Sequence, residues 1–203
     1  MEQRETDEAL AQRFQSGDDT AFKALLDRYS AHLINFAYRY LGSKEEAEDI
    51  AQEIFLRIYR RKDSYDPARL FRPWLFAIAA RLISNRARDR GRRSTVSLDQ
   101  ETDDGSTERP GLGIADAASP VPEGRLAQDE AVGKVRAALE ALPEDQRRAV
   151  LLAKFEDMPY EEIAQAMATT VPAVKSLLFR ARQSLKTALA GYAVTEERRT
   201  HEA

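Results

Sequence analysis

Apolar residues return every three or four positions along most of this chain and nowhere alternate strictly, so the pattern predicts helices and no half-buried strand. The clearest stripe covers residues 45–61, where Ala47, Ile50, Ala51, Ile54, Phe55, Ile58 and Tyr59 share one face. Ser43 and Glu46 give it a capping-box start, the hydroxyl accepting from the N3 amide while the carboxylate reaches back. Ahead of it, residues 21–41 place Phe22, Leu25, Leu26, Tyr29, Leu33, Phe36, Ala37, Tyr40 and Leu41 on a buried face, and Gly42 supplies the stop. A third long helix begins near Pro73, a residue suited to a first turn, and buries Trp74, Leu75, Ile78, Ala79, Leu82 and Ile83.

The pattern resumes in three shorter helices near the C-terminus. Residues 143–155 carry Glu144 and Asp145 in the first turn, where the helix dipole favours anions. Residues 160–167 and 172–190 follow, separated by the short turn 168–171 with a threonine available as N-cap. Two helices joined by about four residues, the second longer and basic, form a helix-turn-helix pattern.

Between the two sets, residues 94–130 lose periodicity. They contain no aromatic residue, four Gly and three Pro among many Ser, Thr and Asp. Such a segment cannot bury enough apolar surface to offset its ordering entropy, so it is expected to be a flexible linker. The sequence therefore predicts an all-α protein of two small helical domains, residues 1–93 and 131–190, with a polar tail at 191–203. A total of 203 residues suits one ordinary domain or two small ones.

Composition sharpens this division. The whole chain has 31 Lys plus Arg against 34 Asp plus Glu, a net charge of −3 that does not suggest a nucleic-acid partner. Divided along the chain, residues 1–93 carry 18 basic and 15 acidic residues, 94–130 carry 2 and 9, and 131–203 carry 11 and 10. Two mildly basic domains thus flank a linker of net charge −7. Zero cysteines exclude disulfides and thiolate metal sites and fit a reducing cytosol. No run approaches the ~20 apolar residues of a membrane span, and the first residues do not resemble a signal peptide.

Candidate chemistry is concentrated in residues 68–93. Eight arginines (69, 72, 81, 86, 88, 90, 92 and 93) stand there against one acid, Asp89, with Tyr65, Phe71, Trp74 and Phe76 interleaved or adjacent. Arginine beside aromatic faces suits single-stranded nucleic acid, neutralising phosphates and stacking unpaired bases. Trp74 itself falls on the apolar stripe and is expected in the core. In the last helix, Val174, Leu177 or Leu178, Ala181 and Leu185 can pack inward, leaving Lys175, Ser176, Phe179, Arg180 and Arg182 outward, where a helix-turn-helix meets the major groove. The acids Glu45, Glu46, Glu48, Asp49 and Glu53 are explained by capping and dipole effects, and His32 has no second ligand near it in sequence. No nucleophile, metal or phosphate-loop motif is present, so the expectation is no enzyme, no metal and no cofactor.

The motifs taken in order resemble those of a known family. They are Leu25-Leu-Asp-Arg-Tyr29, Glu45-Glu-Ala-Glu-Asp-Ile-Ala-Gln-Glu-Ile-Phe55, Trp74-Leu-Phe-Ala-Ile-Ala79 and the arginines of 86–93, then Leu142-Pro-Glu-Asp-Gln-Arg147, Tyr160-Glu-Glu-Ile-Ala164 and Val174-Lys-Ser-Leu-Leu-Phe-Arg-Ala-Arg182. Together they resemble a bacterial extracytoplasmic-function (ECF) sigma factor of the sigma-70 family, over nearly all of residues 10–190. The resemblance implies sigma domain 2, a linker and sigma domain 4, which direct core RNA polymerase to promoters by reading −35 duplex and −10 single-stranded DNA. It assigns Asp49, Gln52, Glu53 and Leu56 to polymerase docking. It assigns Ser64, Tyr65, Asp66, Phe71, Arg72, Arg81, Asn85 and Arg88 to the −10 strand, and Thr170, Pro172, Lys175, Ser176, Phe179, Arg180 and Arg182 to the −35 duplex. Residues 143–150, with Arg147 and Arg148, fall in the part that family members use near the polymerase flap.

The resemblance also implies an anti-sigma factor as partner and a cytoplasmic protein that such a factor can hold at the membrane. It threads the linker towards the RNA exit channel, where net −7 suits a nucleic-acid mimic, or equally a tether extended by its own charge. Three positions depart from the family pattern: Arg81 where Asn is frequent, Leu177 where Arg is frequent, and Pro159 where Ser or Thr caps the helix, with Asp157 a candidate replacement. A sigma-like decoy that binds only a regulator is the alternative. Such decoys carry a fused receiver domain, for which no strand–helix alternation exists here, and need not keep both basic surfaces. A plain helix-turn-helix regulator would leave the first 93 residues without purpose.

Overall fold

The computed structural model describes the backbone of residues 5–96 and 122–201 and the side chains of residues 5–90 and 131–190. Among these residues the chain is all-α, with no strand. The helices are α1 (Asp7–Gln15), α2 (Asp19–Leu41), α3 (Lys44–Arg60), α4 (Phe71–Val96), α5 (Pro122–Glu140), α6 (Glu144–Phe155), α7 (Tyr160–Ala166) and α8 (Val171–His201). A 3-10 turn, Lys62–Ser64, lies between α3 and α4.

Local chemistry sets the boundaries. Thr6 Oγ1 accepts from Ala9 N at 3.2 Å, Asp18 Oδ1 from Thr20 N at 2.9 Å, and Ser43 Oγ from Glu46 N at 3.3 Å. Each such cap contributes about 1 kcal/mol. Gly42 ends α2 at φ +79°, a left-handed conformation that glycine adopts without steric cost, and its N–H donates to Tyr38 O at 2.8 Å. The capping box at Ser43 is completed on one side, whereas the Glu46 carboxylate takes Arg90 Nη1 at 3.1 Å.

Three sequence expectations shift. Helix α1 was not anticipated; its short stripe of Leu10, Ala11 and Phe14 is buried. The linker expected at 94–130 is encroached from both ends, since α4 continues to Val96 and α5 begins at Pro122; residues 97–121 lie outside those described. Helix α8 likewise continues to His201 through the segment expected as a tail, where no proline follows Gly191 to stop it.

Helices α1–α4 close around Leu25, Leu33, Phe36, Ile50, Ile54, Phe76 and Ile83, with Phe36 and Phe76 meeting edge to face at 5.4 Å. Helices α6–α8 bury Leu151, Leu152, Ile163, Val174 and Ala181. Trp74 is half-buried against the first core, as its place on the stripe predicts.

The two halves pack together, α7 on α4 and α6 on α2, and the apolar cluster runs without a break from Leu10 to Ala181. Cations stitch this seam. Arg147 lies over the Tyr40 ring, 4.1 Å from its centroid, and donates to Tyr40 O. Burial pulls its pKa below the ordinary value, opposed by Tyr40 and Glu140. Arg148 reaches Ser84 Oγ at 3.3 Å, Arg136 reaches the Tyr38 hydroxyl at 2.6 Å, and Arg39 covers Phe155 at 4.4 Å. The Glu156 carboxylate, 1% exposed, sits 3.0 Å from His32 Nδ1. Its pKa is raised by burial, against the pull of His32, Arg72 and Arg39. His32 is therefore a satisfied histidine of the seam.

Candidate nucleic-acid interface

Helix α8 presents its N-terminal half outward because α6 and α7 cover the opposite face. Val174 and Ala181 are fully buried and Leu178 nearly so, while Leu177 is half-buried at the edge. Lys175, Ser176, Phe179 and Arg180 are exposed and line one shallow hollow. Phe179 is 61% exposed, a large apolar ring left in water between a lysine and an arginine. Thr170 Oγ1 accepts from Ala173 N at 3.3 Å as the cap of α8, and exposed Pro172 occupies its first turn. The Ser176 hydroxyl donates to Pro172 O at 3.0 Å. Arg182, also exposed, stands one turn further on beside an apolar cleft formed with Val150, Tyr160 and Leu185. The α7–α8 turn passes through Ala168 at φ +50°. Pro159 is the N-cap of α7 without a side-chain cap bond, so Asp157, at φ +47°, does not supply the cap the sequence left open to it.

The arginine-rich segment resolves into two groups. Arg81, Asn85 and Arg88 are exposed along one side of α4, and Arg88 donates to Asn85 Oδ1. Arg86 and Arg90 turn the other way: Arg86 pairs with Glu53 at 3.4 Å, and Arg90 donates to Leu41 O at 2.6 Å. They fasten α4 to α2 and α3. Arg72 donates to Glu156 O across the seam and lies 4.0 Å from its carboxylate, so in this conformation it is engaged by the other half of the protein.

Between α3 and α4, Ser64 and Asp66 are exposed, whereas Tyr65 and Phe71 are only 3% and 2% exposed. Their rings meet at 5.5 Å, and both pack on Trp74, at 5.3 and 5.7 Å. The Tyr65 hydroxyl donates to Arg69 O at 2.6 Å. Burial, with help from Glu8, Asp66 and Asp7, pushes its pKa up to about 12. Tyr65 and Phe71, which the resemblance counts among the groups of a base-capturing pocket, do not present free faces in this conformation: the rings are the floor beneath the loop, where burial against Trp74 removes them from water.

On α3, Asp49 and Gln52 are exposed, Leu56 is 57% exposed and Glu53 half-exposed beside Arg86, so the four form one ridge at i, i+3, i+4 and i+7. Arg147 and Arg148, in the part that the resemblance places near the polymerase flap, are held in the seam in this conformation. Two contributors missed in the sequence are Glu8 and Gln15 of α1, which bond the backbone around this loop. Among the described residues no helix is long and apolar enough to cross a membrane.

A helix-turn-helix with an outward basic helix, joined to a helical unit with a second basic face, defines a DNA-binding protein. Comparisons with known proteins give the class. Residues 25–93 match the family model for sigma-70 region 2, and residues 133–185 match that for sigma-70 region 4. The chain is 34% identical to the RNA polymerase sigma-H factor of Pseudomonas aeruginosa, over 92% of this chain and 95% of that one. It is 33% identical to the ECF RNA polymerase sigma-E factor of Escherichia coli K12, over 91% and 95%. Its fold is similar to that of CnrH in complex with the cytosolic domain of CnrY, with a TM-score of 0.69 at 23% identity, covering 92% of this chain and 99% of the other. It is also similar to the sigma factor RpoE in complex with the anti-sigma factor NepR from Bartonella quintana, with a TM-score of 0.59 at 24% identity, covering 83% and 96%. The chain belongs to the ECF sigma factors of the sigma-70 family. Its function is to direct RNA polymerase to promoters and initiate transcription there.

Proposed function

We propose that this sigma factor divides its work among three surfaces. The exposed group Lys175, Ser176, Phe179 and Arg180, with Thr170, Pro172 and Arg182 around it, reads the −35 duplex. Ser64, Asp66, Arg72, Arg81, Asn85 and Arg88 face the unpaired −10 strand, with Tyr65 and Phe71 supporting them from beneath. Asp49, Gln52, Glu53 and Leu56 dock on core polymerase, where an acidic, partly apolar ridge suits an arginine-rich partner surface. Residues 1–93 act as domain 2, residues 131–190 as domain 4, residues 94–130 as the acidic connection and residues 191–203 as an extension of uninterpreted role. The protein has no catalytic activity of its own.

The observation that carries this reading is Phe179. A ring left 61% exposed between Lys175 and Arg180 forfeits its burial energy unless a partner covers it. The floor of the major groove offers thymine methyls to the ring and guanine edges and phosphates to the cations. Arg72 is held by Glu156, so engagement of the −10 strand through Arg72 requires the seam to release it. An anti-sigma factor that grips both halves is the expected inhibitor, since RpoE of Bartonella quintana is bound by one in its solved complex. The protein works in the cytoplasm, where an anti-sigma factor can hold it at the membrane.

The experiment separates the surfaces. Asp49→Ala combined with Gln52→Ala should impair association with core polymerase while leaving binding to an isolated −35 duplex intact. Equal loss of both would remove the docking assignment.

A further inference from the structure

Residues 61–70 are gripped from outside by α1, a helix to which the three surfaces above give no task. Gln15, its last residue, places Nε2 2.8 Å from Lys62 O and 2.7 Å from Tyr65 O. One side-chain amide has two hydrogens, and both are committed to carbonyls that bracket Asp63 and Ser64. Both partners are acceptors, which fixes the orientation of the amide. Lys62 Nζ reaches Phe14 O at 3.4 Å, and Glu8 Oε1 accepts from Phe71 N at 3.1 Å. The last contact fills one of the orphan donors at the start of α4, next to Arg72. The loop's own bonds are short in range: Ser64 N and Ser64 Oγ to Arg61 O, both at 2.8 Å, Tyr65 N to Lys62 O at 3.1 Å, Ala68 N to Asp66 Oδ1 at 3.0 Å, Arg69 N to Asp66 O at 2.9 Å and the Tyr65 hydroxyl to Arg69 O. They define turns but do not orient those turns relative to the helices. Gln15 and Glu8 do.

We propose that Gln15 is a positioning residue for recognition of the −10 strand. By fixing Lys62 and Tyr65 it sets the direction in which Ser64 and Asp66 face an unpaired base, and hence which base they accept. Selective hydrogen bonding needs groups held to about 0.5 Å, which a surface loop achieves only with a supporting shell. Without Gln15 the loop samples several orientations and tolerates several bases. This rests on the reading of residues 61–72 as the −10-facing segment.

The test uses holoenzyme reconstituted with Gln15→Leu, which keeps the bulk and removes both donors. Open-complex formation is measured on a mapped promoter and on versions with each −10 base substituted. The expected result is a loss of discrimination between the native and substituted bases of about fivefold to tenfold, corresponding to one or two net hydrogen bonds. Binding to the −35 duplex stays unchanged. Hydrogen exchange should accelerate within residues 61–71 and not in α6–α8. A variant that keeps full discrimination and normal exchange in the loop overturns the inference. Ser64→Ala with Asp66→Ala serves as the reference: if this pair also leaves −10 discrimination intact, the reading of the loop itself fails. If the pair lowers discrimination and Gln15→Leu does not, only the role of Gln15 is lost.

Discussion

Tyr65 and Phe179 both stand near arginines in a segment that faces DNA in the account given above, yet one ring is 3% exposed and the other 61%. The difference follows from how the two surfaces are built. The surface proposed to read the −35 duplex is one side of α8, whose other side is fixed by Val174, Leu178 and Ala181. A regular helix sets the spacing of its outward side chains without further help. The surface proposed to face the −10 strand is a loop and a helix edge, and irregular backbone needs support from elsewhere. Tyr65, Phe71 and Trp74 supply a floor, α1 supplies hydrogen bonds, and Arg86 and Arg90 tie α4 down. On the helical surface Lys175, Phe179, Arg180 and Arg182 stand exposed, while Thr170 and Ser176 bond only the backbone of α8 itself. On the loop surface much of the aromatic and cationic material is consumed in construction.

This contrast predicts different penalties for similar substitutions. Tyr65→Ala should be the most damaging, costing about 3–5 kcal/mol of stability as for other buried aromatics, whereas Phe179→Ala should change stability by less than about 0.5 kcal/mol. Denaturant unfolding of the two variants measures both; equal costs would break the comparison. Arg180→Ala should weaken −35 duplex binding by about 1–3 kcal/mol at fixed salt without altering the unfolding midpoint. Fluorescence anisotropy with a −35 duplex checks it, and unchanged affinity would remove Arg180 from the reading set. Tyr65→Phe keeps the ring and loses only the bond to Arg69 O, so its stability cost should be about 1 kcal/mol. A gain rather than a loss is expected at Ala168, where φ is +50°. Ala168→Gly relieves a left-handed backbone and should raise stability by up to about 1 kcal/mol with −35 affinity unchanged.

The regular parts of the molecule were legible in the sequence. Ser43 and Gly42 marked the break between α2 and α3, and the apolar stripes placed Leu33, Phe36, Ile54 and Ile58 inside. The outward group on α8 followed from helical spacing once Val174 and Ala181 were taken as core. The segment proposed to face the −10 strand was less legible. A sequence shows that Tyr65 and Phe71 neighbour arginines, but not that they meet Trp74, because those contacts depend on how the chain turns between α3 and α4. The arginines of 68–93 look alike in one dimension. Only the packing of α4 against α2 and α3 separates Arg86 and Arg90, which brace the fold, from Arg81 and Arg88, which face out. Helix α1 carried a signal in Thr6, Asp7 and Glu8 followed by Leu10 and Phe14, though its nine residues give a weak period. The seam between the halves, with Glu156 buried against His32, had no sequence signature, since its partners lie 124 residues apart.

The most direct measurement is transcription in vitro with core RNA polymerase and this protein, mapping start sites across genomic DNA. Initiation is predicted at a defined set of sites that share −35 and −10 elements, and it should be lost when Lys175 and Arg180 are both replaced by alanine. Absence of specific initiation, or initiation at the same sites after that double substitution, would contradict the account.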